Sequence, residues 1–435
     1  MTARAFLRTL FDTAVAAAHP ASCLTPYLPA PPKGGHLILL AAGKAAGAMI
    51  EVAEKHYLDT LKVPAGFMNG IAVARHGYGR PRPSGSRASG GHPVPDAASL
   101  ESAGTALGMA ESAGADDLVL VLMSGGASAN WIAPAGITFE EKRAVNRALL
   151  RSGANIGEMN TVRKHLSRIK GGRLARAAYP ARVVTLAVSD VPGDDPAVIG
   201  SGPTVPDPST LADARAIVAR YRLDLPEAVT RALNDPANES PKPGDPAFAK
   251  AEFHLIARPA DAFRAAEAAI KAAGYEVVFL GERLEGEARE VAAAHAALAR
   301  KLQAEGRRAV ILSGGELTVT IRNKGGRGGP NQEYALALAI GLAGTAGITA
   351  LAGDTDGTDG GSGSATDPAG AIVDGQTAER AQKLGLVPAA FLADNDSTGF
   401  FERLGDLLET GPTFTNVNDF RAIVVDRPAE PARNP

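Results

Sequence analysis

The chain has 435 residues, 45 Lys and Arg against 47 Asp and Glu, and one cysteine, Cys23. A formal net charge of −2 leaves no electrostatic footprint for nucleic acid or an anionic membrane, and a lone thiol excludes an internal disulfide and suits the reducing cytoplasm. The length predicts two domains, because single cores stop growing at about 250–300 residues.

In chain order, the N-terminus places Phe6, Leu7, Leu10 and Phe11 at helical spacing with Arg8 and Asp12 between them, which predicts an amphipathic surface helix rather than a signal peptide. Residues 36–41 predict a strand, 44–57 a helix, 66–74 a strand and 97–112 a helix. Then come a strand over 118–123, helices over 140–152 and 160–178, and an apolar strand over 182–188. Two charge-free stretches, 118–139 and 334–353, approach the length of a membrane span. Gly125, Gly126 and Pro134 break the first, and Gly341, Gly344 and Gly347 the second, so neither predicts a lipid helix. Alternation of helix and strand predicts α/β layers on a mostly parallel sheet.

Residues 233–246 (LNDPANESPKPGDP) predict a linker or long surface loop, and residues 79–91 a second flexible stretch. The boundary is placed near 240, giving domains 1–240 and 241–435. Beyond it, 253–257 predicts a strand, 261–273 a helix, 276–280 a strand, 286–303 a helix and 309–312 a strand. Residues 317–321 alternate with period two and predict an antiparallel strand.

Two apolar runs end in one kind of turn: VLVLM into Ser124-Gly125-Gly126-Ala127-Ser128, and AVIL into Ser313-Gly314-Gly315-Glu316. Glycine lets backbone amides converge, and converging amides bind anions. Gly43-Lys44-Ala45 sets a cation where a helix opens, without matching the P-loop pattern. The run 160–173 (NTVRKHLSRIKGGR) is densely basic. It predicts Arg163 and Lys170 on one helical face, mostly solvated, with Leu166 and Ile169 as anchors and His165 a hydrogen-bonded histidine. Asp190 follows a strong strand, where open α/β sheets bind ligands, and can hold Mg²⁺ or accept a proton. Asp194 and Asp195 read as turn formers beside proline. Glycine pairs flank Arg327, which predicts a mobile guanidinium suited to phosphate or carboxylate. The acidic loop Gly353-Asp354-Thr355-Asp356-Gly357-Thr358-Asp359 suits Mg²⁺ or Ca²⁺, but Ala365 at the twelfth place excludes an EF-hand. The chain has no Gly-x-Gly-x-x-Gly, no Gly-x-Ser-x-Gly, no His-Glu-x-x-His and no paired cysteines.

In number and order these segments resemble the glycerate 2-kinase family, whose C-terminal half is the MOFRL domain. Further carriers of the resemblance are His92-Pro93-Val94-Pro95-Asp96, Gly200-Ser201-Gly202-Pro203-Thr204, Asn331-Gln332-Glu333 and the 411–419 run GPTFTNVND. The resemblance implies a Rossmann-like, mostly parallel N-terminal α/β domain and a mixed-sheet α/β C-terminal domain, with the site in a cleft between them. It implies ATP- and Mg²⁺-dependent phosphorylation of D-glycerate to 2-phospho-D-glycerate, and it points to Lys44 and Arg327 as active-site cations. Gly328-Gly329-Pro330 separate Arg327 from Asn-Gln-Glu, whereas in many relatives the arginine runs directly into that motif.

Phosphoryl transfer needs positioning and positive charge around the moving group. The expected phosphate- or substrate-binding set is therefore Ser124, Gly125, Gly126, Ser128, Arg163, Lys164, Ser313, Gly314, Gly315, Glu316, Asn331 and Asn416. Asp190 is expected to orient or deprotonate the attacking hydroxyl and Asp354 or Asp356 to ligate Mg²⁺, two roles that can be exchanged. The expected partners are D-glycerate and a nucleotide, without nucleic acid or membrane, and with a homodimer as the one protein partner admitted. The competing readings are an NAD(P)H-dependent hydroxypyruvate reductase, a label some relatives carry, and a non-catalytic cation-binding protein.

Overall fold

A computed structural model of the chain describes residues 1–79, 86–91, 95–323, 325–361 and 364–427, with the backbone alone at 86–89. His92, Pro93 and Val94 of the motifs above lie outside the described residues. The chain divides into two compact units: Pro20–Ile256, and Met1–His19 together with Ala257–Pro435. The division therefore falls after Ile256 rather than near 240, and the N-terminal segment joins the C-terminal unit.

The Pro20–Ile256 unit is built on six strands: β1 (Leu37–Ala42), β2 (Met68–Arg75), β3 (Ser86–Gly90), β4 (Leu118–Met123), β5 (Arg182–Val188) and β6 (Ala251–Ala257). Their order is β3-β2-β1-β4-β5-β6, with β1 to β5 parallel. Every residue of β1 and β4 is buried, as expected where helices cover both faces of a parallel sheet. Leu40, Val73, Val121 and Val183 meet Leu107 and Ile169 in one core. The helices Phe139–Arg151, Ile156–His165 and Leu211–Arg220 each begin with a capping box (Thr138 with Glu141, Asn155 with Glu158, Thr210 with Asp213). They join Glu227–Asn234 around a second core of Val145, Leu149, Val162 and Leu233.

Three expectations fail in this unit. The helix predicted over 160–178 is two, Ile156–His165 and Arg173–Ala178, because Gly171 and Gly172 adopt left-handed φ values of 59° and 79°. The 233–246 run is the surface loop of the two readings and not a linker: Pro236, Ala237, Pro243 and Gly244 are exposed, but Asn238 and Ser240 are buried and Glu239 pairs with His165 at 3.1 Å. The described part of 79–91 includes edge strand β3, and the strand predicted at 253–257 completes this sheet as β6 rather than opening the next domain.

The other unit carries β7 (Glu276–Phe279), β8 (Ala309–Ser313), β9 (Ile348–Asp354), β10 (Gly370–Asp374), β11 (Leu407–Leu408) and β12 (Asp419–Val425). Their order is β11-β10-β9-β12-β8-β7, with β7 and β8 parallel and every other pairing antiparallel. The helix Ala3–Ala18 belongs here. Phe11 meets Phe420 edge-on at 6.0 Å, Phe6 stacks on Tyr275 at 5.5 Å, and Arg4 reaches Asp374 at 2.8 Å and Asp406 at 2.9 Å. Its apolar stripe buries against β9, β12 and the helix Pro259–Ala272, a partner that the helix's own sequence does not name. Residues 317–321 form no antiparallel strand; Thr318 makes an isolated parallel bridge to Glu287.

Candidate active site

In the six-stranded sheet, strand order reverses between β1 and β4. Open α/β sheets bind ligands at such a switch point, outside the carboxyl ends of the strands. There the turns after β1 and β4 interlock. Lys44 N donates to Gly125 O at 2.8 Å, and Ala45 N to Ser124 Oγ at 2.9 Å. Gly43 holds φ +117°, and a Cβ there would stand 2.4 Å from Ser124 Oγ, so only glycine fits. The helix Ala46–Glu54 opens beside Lys44 with no side-chain cap; Ala46 N donates to Gly43 O at 3.1 Å, so the amides of Gly47 and Ala48 are the first-turn donors open to an anion. Ser124 is buried and its hydroxyl holds the Lys44 turn. Past β5, Ser189 Oγ accepts from Val191 N at 3.2 Å and fixes the turn carrying half-buried Asp190. Asp195 Oδ1 accepts from Ala197 N as a turn former does, and Asp194 has φ +56° with its buried Oδ1 unpartnered.

Beside these loops lies a pocket of about 140 Å³ bounded by Ser128, Lys142, Asn146, Arg163, Lys170 and Ser201. Lys142 and Lys170 are 2% and 5% exposed. Lys142 Nζ donates to the carbonyls of Arg163 and Leu166, closing the C-terminal end of the helix Ile156–His165. Lys170 Nζ donates to Ser128 O at 2.7 Å, and Arg163 Nε to Asn146 Oδ1 at 3.1 Å. Among the described residues no carboxylate pairs with any of the three. Burial, with Arg163 nearby, pushes Lys170 down to about 7. Burial, then repulsion from Lys170, Arg163 and Arg173, takes Lys142 well below the usual lysine range. An entering oxyanion supplies the missing counter-charge.

The helical face expected to carry both Arg163 and Lys170 does not exist, and the run is not a solvated face; Lys170 sits in the loop past the helix end. Lys164 turns instead to Asp207, in a buried pair at 3.4 Å. His165 is the hydrogen-bonded residue expected, between Thr161 O and Glu239, and Leu166 and Ile169 are fully buried. Sequence reasoning misses Lys142, Asn146 and Lys170 as site residues and holds Ser201 only within the Gly200–Thr204 motif, without a site role, since nothing in sequence joins residues 142, 163, 170 and 201. The one available signal was a lysine on the buried stripe of an amphipathic helix.

In the mixed-sheet unit, Gly314 N and Glu316 N are bound to Gly281 O and Leu284 O, and Arg421 donates to Gly314 O at 2.5 Å. The Ser313-Gly314-Gly315-Glu316 turn therefore offers neither of those amides to an anion. Asn331 is 1% exposed and donates to Asp419 at 2.7 Å. Asp359 accepts from the amides of Asn331 and Gln332 and so caps the helix Pro330–Gly341; burial outweighs those bonds and raises it to about 7. Asn416 is 3% exposed and its Oδ1 accepts from Asn418 N. The Arg327 guanidinium reaches Glu402 at 2.6 Å in an exposed pair, and its amide donates to Asp396. Asp354, at the end of β9, and Asp356 each use Oδ1 on a local amide, from Asp356 and Thr358. No three His, Cys, Asp or Glu converge as a metal cage among the described residues. Two carboxylates still fit Mg²⁺, which takes one or two and fills its remaining positions with water and phosphate.

Fold and site define an α/β protein with a cation-lined pocket and glycine turns at the carboxyl ends of a mostly parallel sheet, joined to a mixed-sheet unit with an acidic loop. Residues 6–234 match a domain of unknown function (DUF4147), and residues 309–419 match the MOFRL family. The chain is 48% identical over 98% of its length, and 95% of the relative's, to an Agrobacterium vitis protein provisionally named a hydroxypyruvate reductase. It is 38% identical to the D-glycerate 2-kinase of Thermotoga maritima, over 88% of this chain and 89% of that one. The solved structure of glycerate kinase from Thermotoga maritima superposes with a TM-score of 0.84 at 35% identity, covering 97% of this chain and 99% of that one. The chain belongs to the glycerate 2-kinase family.

Proposed function

We infer that this chain is a glycerate 2-kinase, transferring the γ-phosphoryl group of ATP, with Mg²⁺, to the 2-hydroxyl of D-glycerate in the cytoplasm. The observation that carries this reading is the interlocked pair of turns at the β1/β4 switch point, which fixes Lys44 beside an uncapped helix start. Such a start attracts an oxyanion, and Lys44 adds a full charge that stabilises a transferring phosphoryl group. Asp190 accepts the proton of the attacking hydroxyl, and Asp354 with Asp356 holds Mg²⁺ against the nucleotide phosphates. Arg327, held now by Glu402, is the second phosphate-facing cation once a ligand replaces that partner. Ser124 acts by positioning Lys44.

The strand order favours a second reading, because dinucleotide-binding sheets share it. A nicotinamide-dependent reductase of hydroxypyruvate needs a close pyrophosphate approach, for which no Gly-x-Gly-x-x-Gly is present. One experiment separates the two. Purified protein with D-glycerate, ATP and Mg²⁺ is expected to release ADP and 2-phosphoglycerate, and with hydroxypyruvate and NADH to leave NADH unchanged. NADH loss without ADP release would reverse the assignment.

A further inference from the structure

We propose that the Arg163–Lys170 pocket seats the carboxylate of the hydroxy-acid substrate, apart from the loops that handle the transferred phosphoryl group. The proposal rests on the kinase reading for the identity of the acid, but its geometry stands alone. Arg163 uses Nε on Asn146, and no other hydrogen bond of its guanidinium is made among the described residues. That leaves the outer edge of a planar fork whose spacing matches the two oxygens of a carboxylate. Lys170 stands at the same pocket with two ammonium protons beyond the one given to Ser128 O. Lys142 is a positioning residue, since its ammonium holds the helix end that carries Arg163.

Size decides between ligands. Pockets for nucleotide-sized molecules run to about 300–1,000 Å³, whereas this one is about 140 Å³. It admits a carboxylate on a short carbon chain or a single phosphate, and excludes a nucleoside. The wall is built with strain. Gly200, Ser201 and Gly202 all have positive φ, 58°, 64° and 59°, and Ser201 is the one among them with a side chain. Its hydroxyl is fixed 2.8 Å from Ser128 Oγ, and its carbonyl receives Gly171 N at 3.0 Å, which anchors the turn after Lys170. A left-handed serine persists only where its surroundings over-determine it. Here it gives the pocket a second hydroxyl and holds Lys170 in place.

The test titrates the unliganded protein, without nucleotide, with D-glycerate in one arm and inorganic phosphate in the other. Binding is read by thermal shift and by fluorescence of Trp131, the chain's single tryptophan, next to Ile132 of the pocket wall. D-glycerate is expected to saturate the wild type and raise its melting temperature. Arg163→Met and Lys170→Met should each weaken D-glycerate roughly tenfold or more, the effect of losing a charge-assisted hydrogen bond. Arg163→Lys, which keeps the charge without the fork, should fall between. Nucleotide affinity should stay within about threefold, since nucleotide binding does not use this pocket. Unliganded Arg163→Met should melt no lower than the wild type, because it removes a half-buried charge that has no carboxylate partner among the described residues; a merely structural arginine would lower it. Wild-type D-glycerate affinity in Arg163→Met overturns the proposal, as does a pocket that takes phosphate and not D-glycerate. ADP release with unchanged D-glycerate KM in that variant sinks the pocket assignment alone. Absence of both D-glycerate binding and ADP release in the wild type sinks the kinase reading with it.

Discussion

Replacing Lys170 by Met changes how stability depends on pH, and the sign follows from burial. The lysine is 5% exposed, and burial with Arg163 close by lowers its pKa from 10.5 to about 7. Below pH 7 both folded and unfolded chains carry the proton, and the penalty of a buried charge is fully present. Between pH 7 and 10.5 the folded protein has lost the proton that the unfolded chain keeps. The unfolded state then binds more protons, so stability rises with pH across that window. The limiting slope is about 1.4 kcal/mol per pH unit, and the whole shift is on the order of 5 kcal/mol. Urea unfolding followed by Trp131, which lies in the same unit, should show the wild type gaining roughly 2 kcal/mol over Lys170→Met between about pH 7.5 and 9. The D-glycerate KM of the wild type should rise in step, approaching about tenfold per pH unit, as the cation that receives the acid is lost. Parallel stability–pH lines for the two proteins would refute the account of Lys170 as a buried group without a counter-charge.

Gly43→Ala forces a Cβ to within 2.4 Å of Ser124 Oγ at φ +117°; the strain should cost roughly 1–3 kcal/mol or more by denaturant titration and lower kcat by displacing Lys44. Lys164→Met strands Asp207 as a buried charge, a loss of about 3–5 kcal/mol that adding Asp207→Asn should partly restore, both read by urea unfolding. Arg327→Ala should leave stability within about 0.5 kcal/mol, since its pair with Glu402 is exposed, yet reduce kcat by roughly 10²–10³ in an ADP-release assay. Lys44→Ala should reduce kcat by a similar factor, and full turnover in either variant would remove that residue from the reaction.

Local patterning determined much of this protein. β1 and β4 are apolar at every position because both faces of a parallel sheet are covered, and that run of side chains is plain in the sequence. The turn residues at Gly43 and Gly126 announce themselves, since few residues other than glycine take their φ values. Tertiary structure alone decided where the charges meet. Lys170 reads as part of a solvated basic run, and nothing local joins it to Lys142, yet packing of three separate segments buries both facing Arg163, with no carboxylate partner among the described residues. Conversely, Gly314 and Asn331 look like ligand groups in the sequence, and the fold engages the Gly314 carbonyl with Arg421 and the Asn331 side chain with Asp419. The helix Ala3–Ala18 shows its apolar stripe locally, but which sheet receives it depends on Phe420, hundreds of residues away. Periodicity is fixed by the neighbours of a residue along the chain; which polar group pairs with which is fixed by distance in space, and only the folded chain sets that.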